Sequence, residues 1–207
     1  MDRMVTEKKI VVASHNLGKI NEIDKLLRRF GIKTVSAKDL GLPEPVEDGQ
    51  TFSENAEIKA LQTAKATNLL SLSDDSGLVI PVLNGAPGIY SARWARDSSG
   101  KNQNFSQAIK NIERAIKAKK APPEGQAAHF ICALSLCWPD GNIKTLEGTV
   151  HGKLTFPPKG EKGFGYDPIF IPTNYQLTFG EMTPREKHQI SHRANAFNKL
   201  IKYCLAS

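Results

Sequence analysis

The sequence predicts an α/β fold, and two observations carry that prediction. Short apolar strands alternate with amphipathic helices through the first third of the chain, in the order strand, helix, strand, helix, strand. Further on, a long apolar run over 127–138 meets a tight turn, Pro139-Asp140-Gly141-Asn142. A roughly alternating run over 143–150 follows, which gives a hairpin. At 207 residues the chain is long enough to bury a real core, as one domain or as a two-lobed one.

The first strand is Ile10-Val11-Val12-Ala13, an apolar run between polar flanks. Leu17, Ile20, Ile23, Leu26, Leu27 and Phe30 recur at helical spacing, and Gly31 supplies a stop. Thr34-Val35-Ser36 is a short second strand, followed by a turn-rich loop from Asp39 to Gly49. Thr51-Phe52-Ser53-Glu54 has the capping-box pattern, so a helix begins there and runs towards Asn68. Leu69 to Ser73 is the next strand, and Leu78-Val79-Ile80 another. Phe105, Ile109, Ile112 and Ile116 place one apolar stripe on a helix, which the segment Ala121-Pro122-Pro123-Glu124-Gly125 ends. That segment is the clearest internal boundary in the sequence. After the hairpin, Phe156 to Asp167 is a loop rich in Gly, Pro and Lys. Thr183-Pro184-Arg185-Glu186 starts a helix with Pro at its first position. Ser191-His192-Arg193 opens the last one, with the stripe Phe197, Leu200, Ile201, Cys204 and Leu205.

Composition excludes several classes. No stretch approaches the roughly 20 apolar residues of a membrane span, and the charged N-terminus lacks the apolar region of a secretory signal. Cys132 and Cys137 lie five apart on an apparent strand and so point to opposite faces. With no CxxC and no zinc spacing, the three cysteines read as buried thiols of a reducing cytoplasm. The net charge of +7 points to phosphate. The basic residues are scattered and aromatics make up only 7%, which argues against a nucleic-acid surface.

Three stretches carry candidate chemistry. Leu72-Ser73-Asp74-Asp75-Ser76-Gly77 brings two adjacent carboxylates to the end of an apolar run. They repel unless a cation or donors offset them, and magnesium suits one or two carboxylates plus substrate phosphates. A solvated turn has the same residues. Ser14-His15-Asn16-Leu17-Gly18-Lys19 joins a strand to a helix, which aims backbone N–H groups and the positive helix end at one point. Ser and Asn also serve there as plain helix caps. In Gly163-Phe164-Gly165-Tyr166-Asp167-Pro168 the flanking glycines allow close backbone approach to a ligand; a tight turn around a packed Phe is the alternative. His192 and Arg193 fall in a first helical turn, where the dipole disfavours cations.

Six blocks taken in order resemble one family: Ser14 to Lys19, Thr51 to Ala56, Asp74 to Leu78, Gly85 to Arg93, Gly163 to Phe170, and Ser191-His192-Arg193. They are similar to the signature blocks of the inosine triphosphatase family and span nearly the whole chain. The resemblance implies hydrolysis of the deaminated purine nucleotides ITP, dITP and XTP to the monophosphate and pyrophosphate, with Mg2+. It implies one two-lobed domain over 1–207, built around a long mixed β-sheet with helices on both sides, with the active-site cleft between the lobes. A cytoplasmic homodimer that binds neither nucleic acid nor membrane goes with it. Carried over by motif, Ser14, His15, Asn16, Leu17, Gly18 and Lys19 bind the triphosphate, and Lys59 also faces the phosphates. Asp75 is the proton acceptor and a metal ligand. Asp74 and Glu47 complete the acidic metal site, and Ser76 touches substrate. Phe164, Gly165, Tyr166, Asp167, Lys187, His192 and Arg193 form the nucleobase pocket. There the donors of Arg193 and His192 would face the six-carbonyl of hypoxanthine or xanthine. On that reading Arg193→Ala raises KM far more than it alters the melting temperature. One departure is His15, where many members carry glycine; a positive φ at that position would strain it.

Overall fold

The computed structural model describes residues 3–96 and 103–205. Its strands are β1 (Lys9–Val12), β2 (Lys33–Ser36), β3 (Ser71–Val79), β4 (Ala127–Cys137), β5 (Ile143–Leu154) and β6 (Phe170–Pro172). They form one sheet in the order β2-β1-β3-β4-β5-β6. β1 runs parallel to β2, with Val11 opposite Val35, and parallel to β3, with Val12 opposite Leu72. β5 runs antiparallel to β6, so the sheet is mixed, as expected. The helices are α1 (Leu17–Arg28), α2 (Phe52–Thr67), α3 (Ser91–Trp94), α4 (Phe105–Ala118), α5 (Pro184–Ile190) and α6 (His192–Leu200). None of the described helices is long and apolar enough to cross a membrane.

The chain divides into two compact units. The first takes the described residues up to Asp75, Cys132–Gly148, and those from Arg193 onward; the second takes those of Ser76–Ile131 and Thr149–His192. The changes of unit fall inside β3, β4, β5 and at the start of α6. None falls at Ala121–Gly125, because that segment merely turns the chain from α4 into β4.

Strand alternation decides which helix covers which face of the first unit. Leu72 of β3 and Leu70 just before it pack with Ile10 and Val12, with Cys132, Leu134 and Leu136 of β4, with Ile23 and Leu27 of α1, and with Phe197 and Leu200 of α6. Ser71 and Ser73, the intervening residues, turn to α2. Their hydroxyls donate to Ala60 O at 2.6 Å and Ala56 O at 2.5 Å. Alanines along α2 (Ala56, Ala60, Ala64) leave no side chain to hold the helix off, and Ala60 and Ala64 pack with Cys137. Cys132 and Cys137 therefore do face opposite ways, as free buried thiols. In the second unit, Ile109, Ile112 and Ile116 form the buried stripe of α4 against Leu78, Ile80, Phe130 and Phe170. Each such side chain contributes about 1.5–3 kcal/mol by leaving water.

Local chemistry sets the helix starts. Asn16 caps α1 by accepting from Lys19 N–H at 3.1 Å. Thr51 caps α2 by accepting from Glu54 N–H at 3.1 Å, while Glu54 turns back to Gln50 N–H rather than to Thr51. Thr183 and Glu186 make a complete capping box on α5. One strand expectation changes and one strand is new. β3 does not stop at Ser73 but runs nine residues through both aspartates to Val79, taking in Leu78 and Val79 of the separate strand expected at 78–80. β6 has three residues, too short for any periodicity to announce it.

Candidate active site

The continuity of β3 decides the electrostatics. Because Asp74 and Asp75 lie inside a strand, their side chains leave on opposite faces, and each meets a different set of partners. Neither sits in a solvated turn: they are 1% and 5% exposed.

Asp74 points to the α1 and α6 side. Lys19 Nζ stands 2.8 Å from its Oδ1 and Arg193 Nε 2.7 Å from its Oδ2. The Cys132 thiol also donates to Oδ2, at 3.0 Å. Arg193 is itself 1% exposed and carries a second ion pair, from Nη1 to Glu22 of α1. Burial pushes the Asp74 carboxyl up, but Arg193 and then Lys19 outweigh it and hold the group well below the usual range. Burial pushes the Cys132 thiol well up and Asp74 adds to it, so Cys132 stays protonated and donates.

Asp75 points to α2. Lys59 Nζ lies 2.8 Å from Asp75 Oδ1 and 2.6 Å from Glu47 Oε1, bridging the two acids. Burial pulls Lys59 down, yet Asp75 and Glu47 together hold it above its ordinary value. For Asp75 the balance falls the other way. Burial raises it, Lys59 and Lys19 offset that only in part, Glu47 adds to it, and the net shift is upward. Asp75 Oδ2 is buried with no hydrogen-bond partner among the described residues. A buried acceptor left without a partner costs about 1–3 kcal/mol, so this oxygen stands out in an otherwise satisfied cluster.

That oxygen bears on the magnesium question. Among the described residues no group of three or more His, Cys, Asp or Glu side chains is placed to hold a metal ion. Oxygens of Asp74 and Glu47, expected to complete the acidic metal site, are engaged by Lys19, Arg193 and Lys59. Magnesium needs less than a protein cage: one or two carboxylates, waters and substrate phosphates suffice. Asp75 Oδ2 fits that requirement.

The turn from β1 into α1 is built as a cap. Ser14 Oγ accepts from Asn16 N–H at 3.1 Å, and Asn16 caps the helix. Leu17 is exposed, and Lys19 reaches to Asp74. His15 is not among the described non-glycine residues with positive φ, so the strain considered for it does not arise. Its Nε2 instead lies 2.8 Å from Leu42 O.

In the second unit, Asp167 is an organiser. Its Oδ2 accepts from Phe164 N–H at 2.8 Å and from Lys187 Nζ at 2.6 Å, and both charged residues are buried. A Cβ on Gly163 would stand 2.1 Å from Asp167 Oδ2, and its φ is +77°, so only glycine fits there. Phe164 keeps a half-buried ring 4.8 Å from Lys187 Nζ. Tyr166 is buried and donates to Ser91 O at 2.8 Å. Ser91 Oγ accepts from Leu78 N–H at 3.0 Å and donates to Gly88 O at 2.7 Å, which ties the Gly85–Arg93 block to the end of β3. Ser76 belongs to this unit too. His192 stacks on Phe130, centroids 4.8 Å apart and planes 14° apart.

The structure thus gathers Lys19, Lys59, Glu47, Asp74, Asp75 and Arg193 into one charged assembly in the first unit. Phe164, Asp167 and Lys187 form another group in the second. Arg193, expected to read a base, has its guanidinium on Asp74 and Glu22. The residues sequence reasoning missed are Glu22, Cys132 and Phe130. Glu22 was within reach, being three residues after Lys19 and so on the same helix face; the other two carry no sequence signal.

The sheet is mixed, and its strand β3 buries two carboxylates, one per face and each with its own lysine. Comparison gives the family. The chain belongs to the Ham1 family, whose pattern matches residues 10–203. It is similar to the "dITP/XTP pyrophosphatase" of Zymomonas mobilis, 50% identical over 98% of this chain and 95% of that protein. That of Rhizobium meliloti is 47% identical over 99% and 100%. Among solved structures, a HAM1 protein from Coxiella burnetii superimposes with a TM-score of 0.83 at 38% identity, covering 95% of this chain and 98% of that one. The Staphylococcus aureus Ham1 protein gives 0.79 at 37%, over 95% and 97%.

Proposed function

We propose that this protein hydrolyses the deaminated purine nucleotides dITP, XTP and ITP to the nucleoside monophosphate and pyrophosphate, by attack of water at the α-phosphorus. The observation that carries the proposal is the state of Asp75: buried, raised, ion-paired through one oxygen, and with the other oxygen buried without a hydrogen-bond partner among the described residues. A general base works best when its pKa is drawn towards the working pH, and burial draws Asp75 that way. The names of relatives about half identical to this chain support the substrate class.

Each residue then has a role. Asp75 takes the proton of the attacking water through its unpaired oxygen, Oδ2. Lys59 holds the other oxygen and opposes the upward push of burial on the carboxyl. The Lys19 ammonium receives phosphate oxygens at the positive end of α1. Magnesium held by Asp75 would neutralise the charge that develops on the departing pyrophosphate. Phe164 offers an aromatic face for the purine, a contact worth about 1–3 kcal/mol that does not choose among bases. Lys187 and His192 supply the donors that favour a six-carbonyl over the amino group of adenine. Arg193 is assigned here to holding Asp74 through Nε and Glu22 through Nη1. Asp74 in turn orients Lys19.

The experiment is pyrophosphate release from ITP, dITP and XTP against ATP and GTP, with magnesium and with chelator. Release confined to the deaminated purines and requiring the metal supports the reading. Equal release from ATP and GTP, or none from any substrate, overturns it. The same reading carries a cytoplasmic homodimer without nucleic-acid or membrane partners, and light scattering on the purified protein checks the dimer.

A further inference from the structure

One pair of metal-ligating side chains takes no part in this chemistry. β4 and β5 are neighbours in the sheet, and Leu154 N–H donates to Gln126 O at 2.8 Å. Three residues along each strand from that bond, His129 stands opposite His151. Ala128 and Phe130 on either side of His129 are buried in the core. By alternation His129 therefore leaves on the other face. It is half-buried there, and His151 is exposed. The two ring centroids lie 5.3 Å apart, with planes inclined by 38°.

We propose that His129 and His151 form a two-imidazole clip for a borderline divalent transition-metal ion, such as Zn2+, Ni2+ or Cu2+, distinct from the magnesium expected at Asp75. The spacing fits. A metal about 2.0–2.1 Å from a ring nitrogen is about 3.2 Å from the ring centre, so two tetrahedral imidazole ligands have centres about 5.2 Å apart. Imidazole suits these metals, whereas magnesium demands oxygen. The scaffold is rigid: Thr173 donates to His151 O through its N–H at 2.9 Å and its hydroxyl at 3.1 Å, which fixes the backbone beneath the ring. Burial and the neighbouring imidazole both push His129 down, which favours the neutral ring a metal requires. Exposed Lys153, two residues further on the same face, opposes a cation but is open to solvent screening. No third His, Cys, Asp or Glu among the described residues completes the set, so water fills the other positions.

The test uses the full-length, metal-stripped protein with His129→Asn and His151→Asn. Calorimetric titration with Ni2+, in phosphate-free buffer containing magnesium, is expected to show one saturable site in the unaltered protein. Binding should weaken about tenfold or more in either variant. With Cu2+, electron paramagnetic resonance should show coupling to two ring nitrogens in the unaltered protein and to one in each variant. Melting temperature and pyrophosphate release without added transition metal should stay unchanged. No saturable binding overturns the proposal, as does equal affinity in the variants, which would place the ion at His15, His188 or His192. Because the readout is metal binding rather than turnover, failure here leaves the hydrolase reading standing, and failure of that reading leaves this site untouched.

Discussion

Replacing Arg193 with methionine keeps most of the apolar stem and removes the guanidinium, and the consequence can be worked from its contacts. In the folded protein, Asp74 would remain 1% exposed, with Lys19 and the Cys132 thiol but without the Nε donor at 2.7 Å, and Glu22 would lose its partner. Breaking a buried ion pair from one side costs about 3–5 kcal/mol, because the remaining charge stays buried. For a chain of this length that lowers the melting temperature by about 6–20 °C. The loss should depend on pH in a definite sense. Despite burial, Arg193 and Lys19 hold Asp74 well below its ordinary value. Its contribution to stability is therefore present above the unfolded carboxylate range and is lost as pH falls through the depressed folded value. In Arg193→Met that contribution shrinks. The gap between variant and parent is then widest at neutral pH and starts to close only below about pH 4, as pH falls from the unfolded carboxylate range towards the depressed folded value. A series of thermal melts from pH 7.5 down to about pH 2 reads this directly. Adding Asp74→Asn to Arg193→Met should recover part of the loss, which marks the two as coupled. A melting temperature within about 2 °C of the parent at pH 7.5, together with a raised KM, would refute the reasoning. It would return Arg193 to the nucleobase.

Three further outcomes are expected. Asp75→Asn should keep the fold by circular dichroism and lower kcat about 10²- to 10⁴-fold, the range for losing a general base; turnover within threefold of the parent removes Asp75 from the mechanism. Lys59→Met removes the main influence that pulls Asp75 down, so the acid limb of the kcat profile should move to higher pH. A carboxyl raised on folding favours the fold at low pH and loses that as pH rises through its folded value, so this variant should also weaken as pH rises from the ordinary carboxylate range through that folded value. An unmoved acid limb counts against Asp75 as the titrating group. Gly163→Ala should displace Asp167, Phe164 and Lys187 together, because its Cβ falls on the Asp167 carboxylate; a clear rise in KM with unchanged chemistry at saturation is the expected signature.

How much of this was legible beforehand follows physical range. Helix caps depend on residues three apart, and Asn16, Thr51 and Thr183 all cap helices where the sequence placed helix starts. The α4 stripe and the 139–142 turn are equally local, and both stand. What local reasoning misread is β3. Asp, Ser and Gly favour turns, yet here the backbone continues as a strand between β1 and β4, because tertiary pairing overrides a weak local preference.

By itself the sequence determined the alternation of strands and helices, their caps, and the six blocks that mark the family, since each of these is written in neighbours along the chain. Only the tertiary structure decided that Asp74 and Asp75 face opposite ways, and that Asp74 is held by an arginine 119 residues distant. The physical reason is the two-residue period of an extended strand. Whether adjacent acids share one site or serve two depends on the strand not ending between them, and that is settled by what pairs alongside it.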